Sequence, residues 1–586
     1  MPRIQKTEAN LFPLPKGATV VKATNRVYVN VGNYRAVSQK TGKGYTSHSK
    51  VCIGLIRLDS SGAPTTELYA NSKYFQIYKA DSLPLPPDRS DTQYIGMKLV
   101  VEKICEEYKI KSILNEVFQE EETNLILDLC SFIVIEEKTV FQHYERWSRK
   151  HVLFSDSIRN DSYISKFLGE SLTVSRIKLF LLKWGRMHIG DGNCYLCYDS
   201  TNTNSQAEGI TIVQKGYAKD DKTLPQVNTD FVIRQEDGLP ITFKEFPGSV
   251  VDIAEAPEII DFLKSLTDKL GITLVCDRGY ISLDNVLRML DAGIDFLLML
   301  RSNMNDSKYL LDLYCTKIKK KNKYKLDKMY EYSPLEYGMT VEMPLFGEGK
   351  NMFFHLIWNQ NLETKHINEY HKNIENREKN LQLYKDKKRN LTLKEINDLS
   401  RWHDIIYEES GVIEIKAKNS SSKKEVTAYN ITSFEINLDK VDAEIEKCGY
   451  YILVTSKQIT AREARQAYSK RDSVEKVFQA LKSSLGMSSI GVHLDDNLHG
   501  KSLLWFIASI IHSIVFSKTE TLKRNNRRIH SVPEAIGVLD EIVADKNILT
   551  NKHERRYTIT KEQKNLLSCF SIDYNDIDEA INALQP

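Results

Sequence analysis

Between Cys194 and Leu300 two kinds of apolar pattern alternate, and their order constrains the fold more than any other feature. Cys194–Tyr198 is a mostly apolar run that reads as a strand and ends at Asp199. Phe231–Gln235 and Ile241–Phe246 read as strands around an Asp237-Gly238 turn, a good hairpin signal. Ala254–Leu270 has helical spacing. Ile272–Cys276 is another buried strand and ends at Asp277. Ser282–Ala292 reads as a helix and Ile294–Leu300 as a strand. The order β, β, β, α, β, α, β predicts an α/β fold class, a mixed sheet with helices packed on it.

The first and fourth of those strands each end in an aspartate. If they lie side by side, Asp199 and Asp277 stand next to each other at the edge of the sheet. A lone Asp ending a strand is usually just a turn or cap residue. A third acidic group changes that reading. Tyr468–Lys482, YSKRDSVEKVFQALK, holds neither Gly nor Pro and reads as one helix. Val474, Val477, Phe478, Leu481 and Leu485 recur at three- and four-residue spacing. At about 100° per residue, Tyr468, Arg471, Glu475 and Lys482 fall within a stripe roughly 60° wide. The apolar stripe can pack on a sheet while this polar edge faces a cleft. Asp199, Asp277 and Glu475 together make a three-carboxylate cluster, which repels itself unless neutralised. Hard divalent cations with oxygen ligands do so, and Mg²⁺ keeps positions open for water and phosphate. Two ions about 4 Å apart can activate an attacking oxygen and stabilise a leaving one. Cations alongside can hold phosphates.

These residues resemble a known family. YSKRDSVEKVFQALK matches the Tyr-x2-Arg-x3-Glu-x6-Lys signature of the insertion-sequence-four type of DDE transposases at all four positions. LVCDRGY is similar to the motif around that family's second Asp, and LCYDSTN to that around its first. GYAKDDKTLPQV and DGLPITFKEFPG also resemble the family's strand region. The resemblance covers roughly Tyr195–Leu300 and Tyr450–Phe516. It implies an RNase H-like core with Asp199, Asp277 and Glu475 as catalytic metal ligands for two Mg²⁺ ions, with Mn²⁺ able to substitute. It implies that Tyr468, Arg471 and Lys482 hold the backbone of the transposon end, with Arg278 a further strand contact. Arg can grip phosphate bidentately, whereas Lys acts as a point charge. Cut-and-paste transposition of an insertion sequence is the implied function. The implied partner is double-stranded DNA, both terminal inverted repeats and target, bound by a homodimer.

Other parts of the chain fit around this core. Residues 19–58 read as β, with Val27, Val29 and Val31 alternating and QKTGKGYTSHSK suited to a basic hairpin tip. Leu83–Asp91, LPLPPDRSD, is a Pro-rich linker, and Met97–Met187 is helical in pattern. Lys317–Lys328 is lysine-rich. Val341–Asn359 and Val412–Thr427 look β-rich. Ile367, Tyr370, Ile374, Leu381 and Tyr384 keep helical spacing on a very charged background and read as a projecting arm. The expected divisions are a β-rich module over 1–82 with possible DNA contact, and a helical, DNA-binding domain over 92–188. The RNase H-like core follows in two parts, 189–305 and 461–520, split by an insertion over 306–460. A C-terminal helical region over 521–586 opens with the basic run LKRNNRR.

The net charge of +3 does not mark a nucleic-acid binder, so DNA affinity is expected from local basic patches. Nine scattered cysteines fit a reducing cytosol. Cys194 and Cys197 lie in a strand where i and i+3 point to opposite faces, which argues against zinc. Met1–Lys6 leads into polar residues, and Leu503–Phe516 is too short to span a bilayer and contains His512. That run is expected to be a buried core helix, in a bacterial cytoplasmic protein with no membrane partner. Gly500-Lys501-Ser502 lacks the first Gly of a phosphate loop, since Asp495 stands there. His366 and His371 are five apart and do not align on a helix. Trp358 and Trp402 are candidates to stack on a displaced base, against the plainer reading of buried core. Two other functions fit the same chain: a transposase-derived DNA-binding protein that does not cut, and an RNase H-like nuclease without strand transfer.

Overall fold

In the computed structural model, the strands expected between Cys194 and Leu300 form the middle of a nine-stranded mixed sheet. The structure describes residues 11–37, 44–78, 89–189, 194–216, 223–266, 271–320, 327–328, 336–347, 349–416, 423–525, 529–546 and 552–584. Two compact units divide the chain at Ser90 and Asp91.

The sheet lies in the second unit. Its strands are β1 (Cys194–Asn204), β2 (Gln226–Arg234), β3 (Pro240–Pro247), β4 (Ile272–Cys276), β5 (Asp295–Met299), β6 (Asp327–Lys328), β7 (Glu336–Pro344), β8 (Asn351–Asn359) and β9 (Tyr450–Thr455). They are ordered β6-β7-β8-β9-β5-β4-β1-β2-β3. β4 runs parallel to both β1 and β5, and the other pairs are antiparallel. The hairpin signal holds: Gly238 takes φ 73° in the β2–β3 turn, where a side chain would be strained. Helices α1 (Asp252–Leu266) and α2 (Leu283–Asp291) lie between the strands in sequence, and Ser282 caps α2 through the Asn285 N–H at 3.1 Å.

β1 corrects one expectation. It does not end at Asp199 but continues through five more residues, all polar, to Asn204. Pairing with β4 stops near Asp199, while pairing with β2 goes on to Asn204 opposite Gln226. Ser200, Thr201, Asn202 and Thr203 are buried, and the fold supplies partners: Asn202 donates to Gln226 at 2.7 Å and Thr203 to the Met487 carbonyl at 3.1 Å.

The segment between β5 and β9 contributes β6, β7 and β8 to the same sheet. Helix α3 (Asn305–Lys320) precedes them. The lysine-rich run at Lys317–Lys328 lies outside the described residues apart from the end of α3 and β6. The charged arm is α4 (Gln360–Asp386), of 27 residues, with a two-stranded ribbon of His403–Lys416 and Lys423–Ile436. Ile374 and Leu381 are buried, as their spacing predicts. Trp358 and Trp402 are both buried; Trp402 donates to Glu444 at 2.9 Å, between Arg377 and Arg401.

Beyond β9 come α5 (Ala461–Ser469), α6 (Asp472–Ser483) and α7 (Asp495–Asn525). α7 is long and apolar enough to cross a membrane, yet 89% of its apolar window is buried inside the protein. It packs on the helices Glu120–Glu136, Asp161–Glu170 and Val174–Ile189, which share one apolar core with the sheet. It is the core helix its sequence suggests. The Gly-Lys-Ser tripeptide belongs to that packing. Gly500 faces the Leu168 backbone, Lys501 is buried, and Ser502 donates to the half-buried Glu245. A methyl at Gly500 presses into the Leu168 carbonyl, which is backbone and cannot step aside. Gly500→Ala is therefore expected to destabilise by about 1–3 kcal/mol, measurable as a lower denaturant midpoint. The C-terminal region is not helical throughout: His553–Arg555, Val543–Lys546 and Thr92–Tyr94 form a small antiparallel sheet. Of LKRNNRR, 526–528 lie outside the described residues.

The first unit is a five-stranded antiparallel sheet with Val27, Val29, Ile53, Ile56 and Leu68 in its core. Val31 departs from the predicted alternation and is 49% exposed. A register shift between Asn30 and Gly32 turns the strand over at that point. The basic hairpin tip at 38–43 lies outside the described residues.

Candidate active site

The parallel register of β1 and β4 brings the two aspartates together. Tyr198 stands opposite Cys276, so Asp199 and Asp277 are the next residues along each strand. Asp199 accepts the Ser200 N–H through Oδ1 at 2.9 Å. Asp277 accepts the Arg278 N–H through Oδ1 at 2.7 Å and the Tyr468 hydroxyl at 3.4 Å. The two Oδ2 atoms face a shared partner. That partner is Arg471, whose Nη1 is 3.3 Å from Asp199 Oδ2 and 3.8 Å from Asp277 Oδ2. Its Nη2 is 3.5 Å from Glu475 Oε1. One guanidinium thus touches all three carboxylates read from the sequence.

The helix that carries this stripe is not continuous. α5 ends at Ser469 and α6 begins at Asp472, so the single helix expected over Tyr468–Lys482 is two. Ser469 turns its hydroxyl back to the Gln466 carbonyl at 2.8 Å. The Arg471 N–H bonds the Tyr468 carbonyl, and the Val474 N–H the Arg471 carbonyl, both at the tighter three-residue spacing. Ser and Asp around the break favour such local bonds over a helix interior. The turn sets Arg471 at the start of α6, one helical turn before Glu475.

Burial grades across the site. The side chains of Asp199 and Arg471 are each 17% exposed, Asp277 39% and Glu475 64%. Burial works against the charge on Arg471, but Tyr468, Asp277, Asp199 and Glu475 around it prevail and hold its pKa above the ordinary guanidinium value. Burial likewise raises the Tyr468 phenol, which stays a donor. Arg278 is exposed beside Asp277. Lys482 lies in the last turn of α6, about 10 Å along its axis from Glu475. The site therefore gathers Asp199, Asp277, Glu475, Tyr468 and Arg471, with Arg278 at its margin and Lys482 two turns further along α6.

Three carboxylates and one guanidinium leave an excess of negative charge. That donor set, hard oxygen ligands around a resident cation, suits a hard divalent ion. As placed, no three His, Cys, Asp or Glu side chains among the described residues stand close enough to hold one. The Arg471 guanidinium stands within ion-pair distance of all three acids.

Two features were missed in the sequence. Arg301, just past β5, donates to the carbonyls of Arg278 at 2.9 Å and Gly279 at 3.2 Å, pinning the loop after Asp277. Its only signal is a cation following an apolar strand. Glu336 in β7 is buried and accepts from Tyr451 at 2.9 Å and from Arg465 of α5 at 3.2 Å. This ties α5 to the strands added late to the sheet. Beside it a cavity of about 860 Å³ is lined by Arg278, Glu336, Arg465, Tyr468 and Arg471, among others. His366, half-buried, also lines it and accepts the Gly449 N–H at 3.3 Å; His371 is exposed.

A family model described as "Transposase DDE domain" matches residues 192–511, more than half of the chain. The match includes Asp199, Asp277 and Glu475. No curated protein matches. A solved structure, the piggyBac transposase synaptic complex with hairpin DNA, aligns at 9% identity with a TM-score of 0.31. The alignment covers 73% of this chain and 65% of that one.

Proposed function

The chain belongs to the DDE transposase domain family, and on that premise we propose that it carries out metal-dependent cut-and-paste transposition of an insertion sequence. The observation that carries the reading is the meeting of Asp199, Asp277 and Glu475 around one cation, from strands and a helix far apart in sequence. The strand order β3-β2-β1-β4-β5 supports an RNase H-like core. The Tyr468, Arg471, Glu475 and Lys482 set supports the insertion-sequence-four type within the family.

Asp199, Asp277 and Glu475 would hold two Mg²⁺ ions, or Mn²⁺ in their place, which supply charge to activate the attacking oxygen and stabilise the leaving one. The chain's own groups position the DNA. Lys482 and Arg278 flank the carboxylates and grip phosphates of the transposon end without reading sequence. Tyr468 donates to Asp277 and fixes its orientation. Arg301 holds the loop that presents Arg278. Hydrolysis of one strand frees a 3′-hydroxyl, which then attacks the opposite strand or the target. Both ends must be held at once, so the active species is a homodimer on double-stranded DNA.

The test uses full-length protein and DNA spanning its own reading frame with both flanks. Nicks at a pair of inverted repeats under Mg²⁺, and joining of pre-cleaved ends to a target, are expected. Tight end binding without nicking under Mg²⁺ or Mn²⁺ makes the protein a DNA binder. Nicking without joining makes it a nuclease. Lys482→Ala is expected to weaken end binding and to lower the slope of log affinity against log salt by about one unit; an unchanged slope removes Lys482 from the DNA path.

A further inference from the structure

Arg471 cannot both sit among the carboxylates and reach a phosphate. Its guanidinium fills the space between Asp199, Asp277 and Glu475, at 3.3, 3.8 and 3.5 Å. Mg²⁺ binds oxygen at about 2.0–2.1 Å, so an ion between the same oxygens takes the volume the guanidinium holds. The two are also like charges, and beside Asp199 and Arg471, the most buried groups of the site, their repulsion is least screened.

We infer that Arg471 is the internal cation of the DNA-free site, and that it must leave the carboxylates before a divalent ion can bind there. That assignment rests on the metal-site reading proposed above. It makes metal binding conditional on DNA. A phosphate of the bound end offers the guanidinium a bidentate partner of equal strength, and the carboxylates released from Arg471 then take up the ion. The cavity of about 860 Å³ that Arg471 also lines gives the side chain somewhere to turn. Its place in the two-residue turn between α5 and α6 leaves it outside any helix interior. The consequence is protective. Without an end in place the site holds its charge balance internally and is not loaded to cut.

The coupling can be measured without cleavage. Mn²⁺ binding to the full chain, followed by the loss of the free-ion paramagnetic signal, is compared with and without a duplex carrying the element's terminal sequence. Apparent affinity falls by the fraction of molecules in the competent state. For wild type, DNA is expected to tighten Mn²⁺ binding at least about tenfold. In Arg471→Ala, Mn²⁺ is expected to bind tightly without DNA, and the gain on adding DNA to vanish. Metal-free Arg471→Ala is also expected to melt several degrees lower, because three carboxylates then face one another, and to recover with Mn²⁺. Arg471→Lys keeps a cation and serves if the alanine variant folds poorly; it is expected to fall between the two. Equal DNA-free Mn²⁺ affinity in wild type and both variants, lost in Glu475→Gln, overturns the gate and leaves the metal site standing. No saturable Mn²⁺ binding in Arg471→Ala, with or without DNA, overturns both together.

Discussion

Changing Asp199 or Asp277 to Asn, or Glu475 to Gln, is expected to lower Mg²⁺-dependent end cleavage about a thousandfold while the chain stays folded and still binds DNA. The magnitude follows from the chemistry assigned to the site. Loss of one group that stabilises charge in the transition state costs about 10²–10³ in rate, and a metal ligand has a share in both the attacking and leaving sides. A thousandfold is about 4 kcal/mol of barrier. The folded state loses little. Each amide keeps the shape of the acid it replaces. Its oxygen can still accept the backbone N–H that Asp199 now holds at 2.9 Å, or Asp277 at 2.7 Å. One attraction to Arg471 is lost, but so is the repulsion from two neighbouring carboxylates. Melting temperatures without metal are therefore expected to stay within about 2 °C of wild type, a surface-scale effect. Asp199 is the exception to watch, being the most buried of the three acids. Cleavage by any one of the three within tenfold of wild type would remove that residue from the reaction.

What could be read in the sequence were features set by local pattern. The strand Ile272–Cys276, the Asp237-Gly238 hairpin and the Ser282 helix start lie where periodicity and turn chemistry put them. The adjacency of the two aspartate strands was legible because parallel neighbours in a mixed sheet are few. What was hidden depended on partners far along the chain. Ser200–Asn204 looks like a loop, because nothing local says that Gln226 and the Met487 carbonyl will satisfy it inside the protein. β7, β8 and β9 join the main sheet through pairings that local pattern does not encode. The break at Lys470 was masked by good helical spacing on both sides. Most telling is Arg471. Its place on the stripe gives the same helical angle whether it faces outward to DNA or inward to the acids. Only the convergence of β1, β4 and α6 decides that it touches Asp199, Asp277 and Glu475.

A second large effect belongs to Lys501, whose Gly-Lys-Ser setting lacks the first Gly of a phosphate loop and which the fold buries. It is 1% exposed, with Nζ donating to the Ile490 carbonyl at 2.7 Å and lying over the Trp505 and Phe141 rings. Burial pushes its pKa down to about 7 from 10.5. Between those two values the unfolded chain carries a proton that the folded chain does not, so stability rises with pH from about 7 towards 10.5. Below about pH 7 both states are protonated and the fold bears the full cost of a buried ammonium. Lys501→Met has nearly the same length and no charge. It is expected to stabilise by about 2–4 kcal/mol near pH 6.5, the figure being reduced for the lost bond to Ile490 and the ring contacts. At about pH 10 the gain should nearly vanish. For a chain of this size that is about 3 °C in melting temperature at the lower pH. His499 titrates nearby, raised by its bond to Glu245, but it is common to both proteins and cancels in the difference. A gain of equal size at both pH values would mean that Lys501 carries no titration and that the variant acts through packing alone.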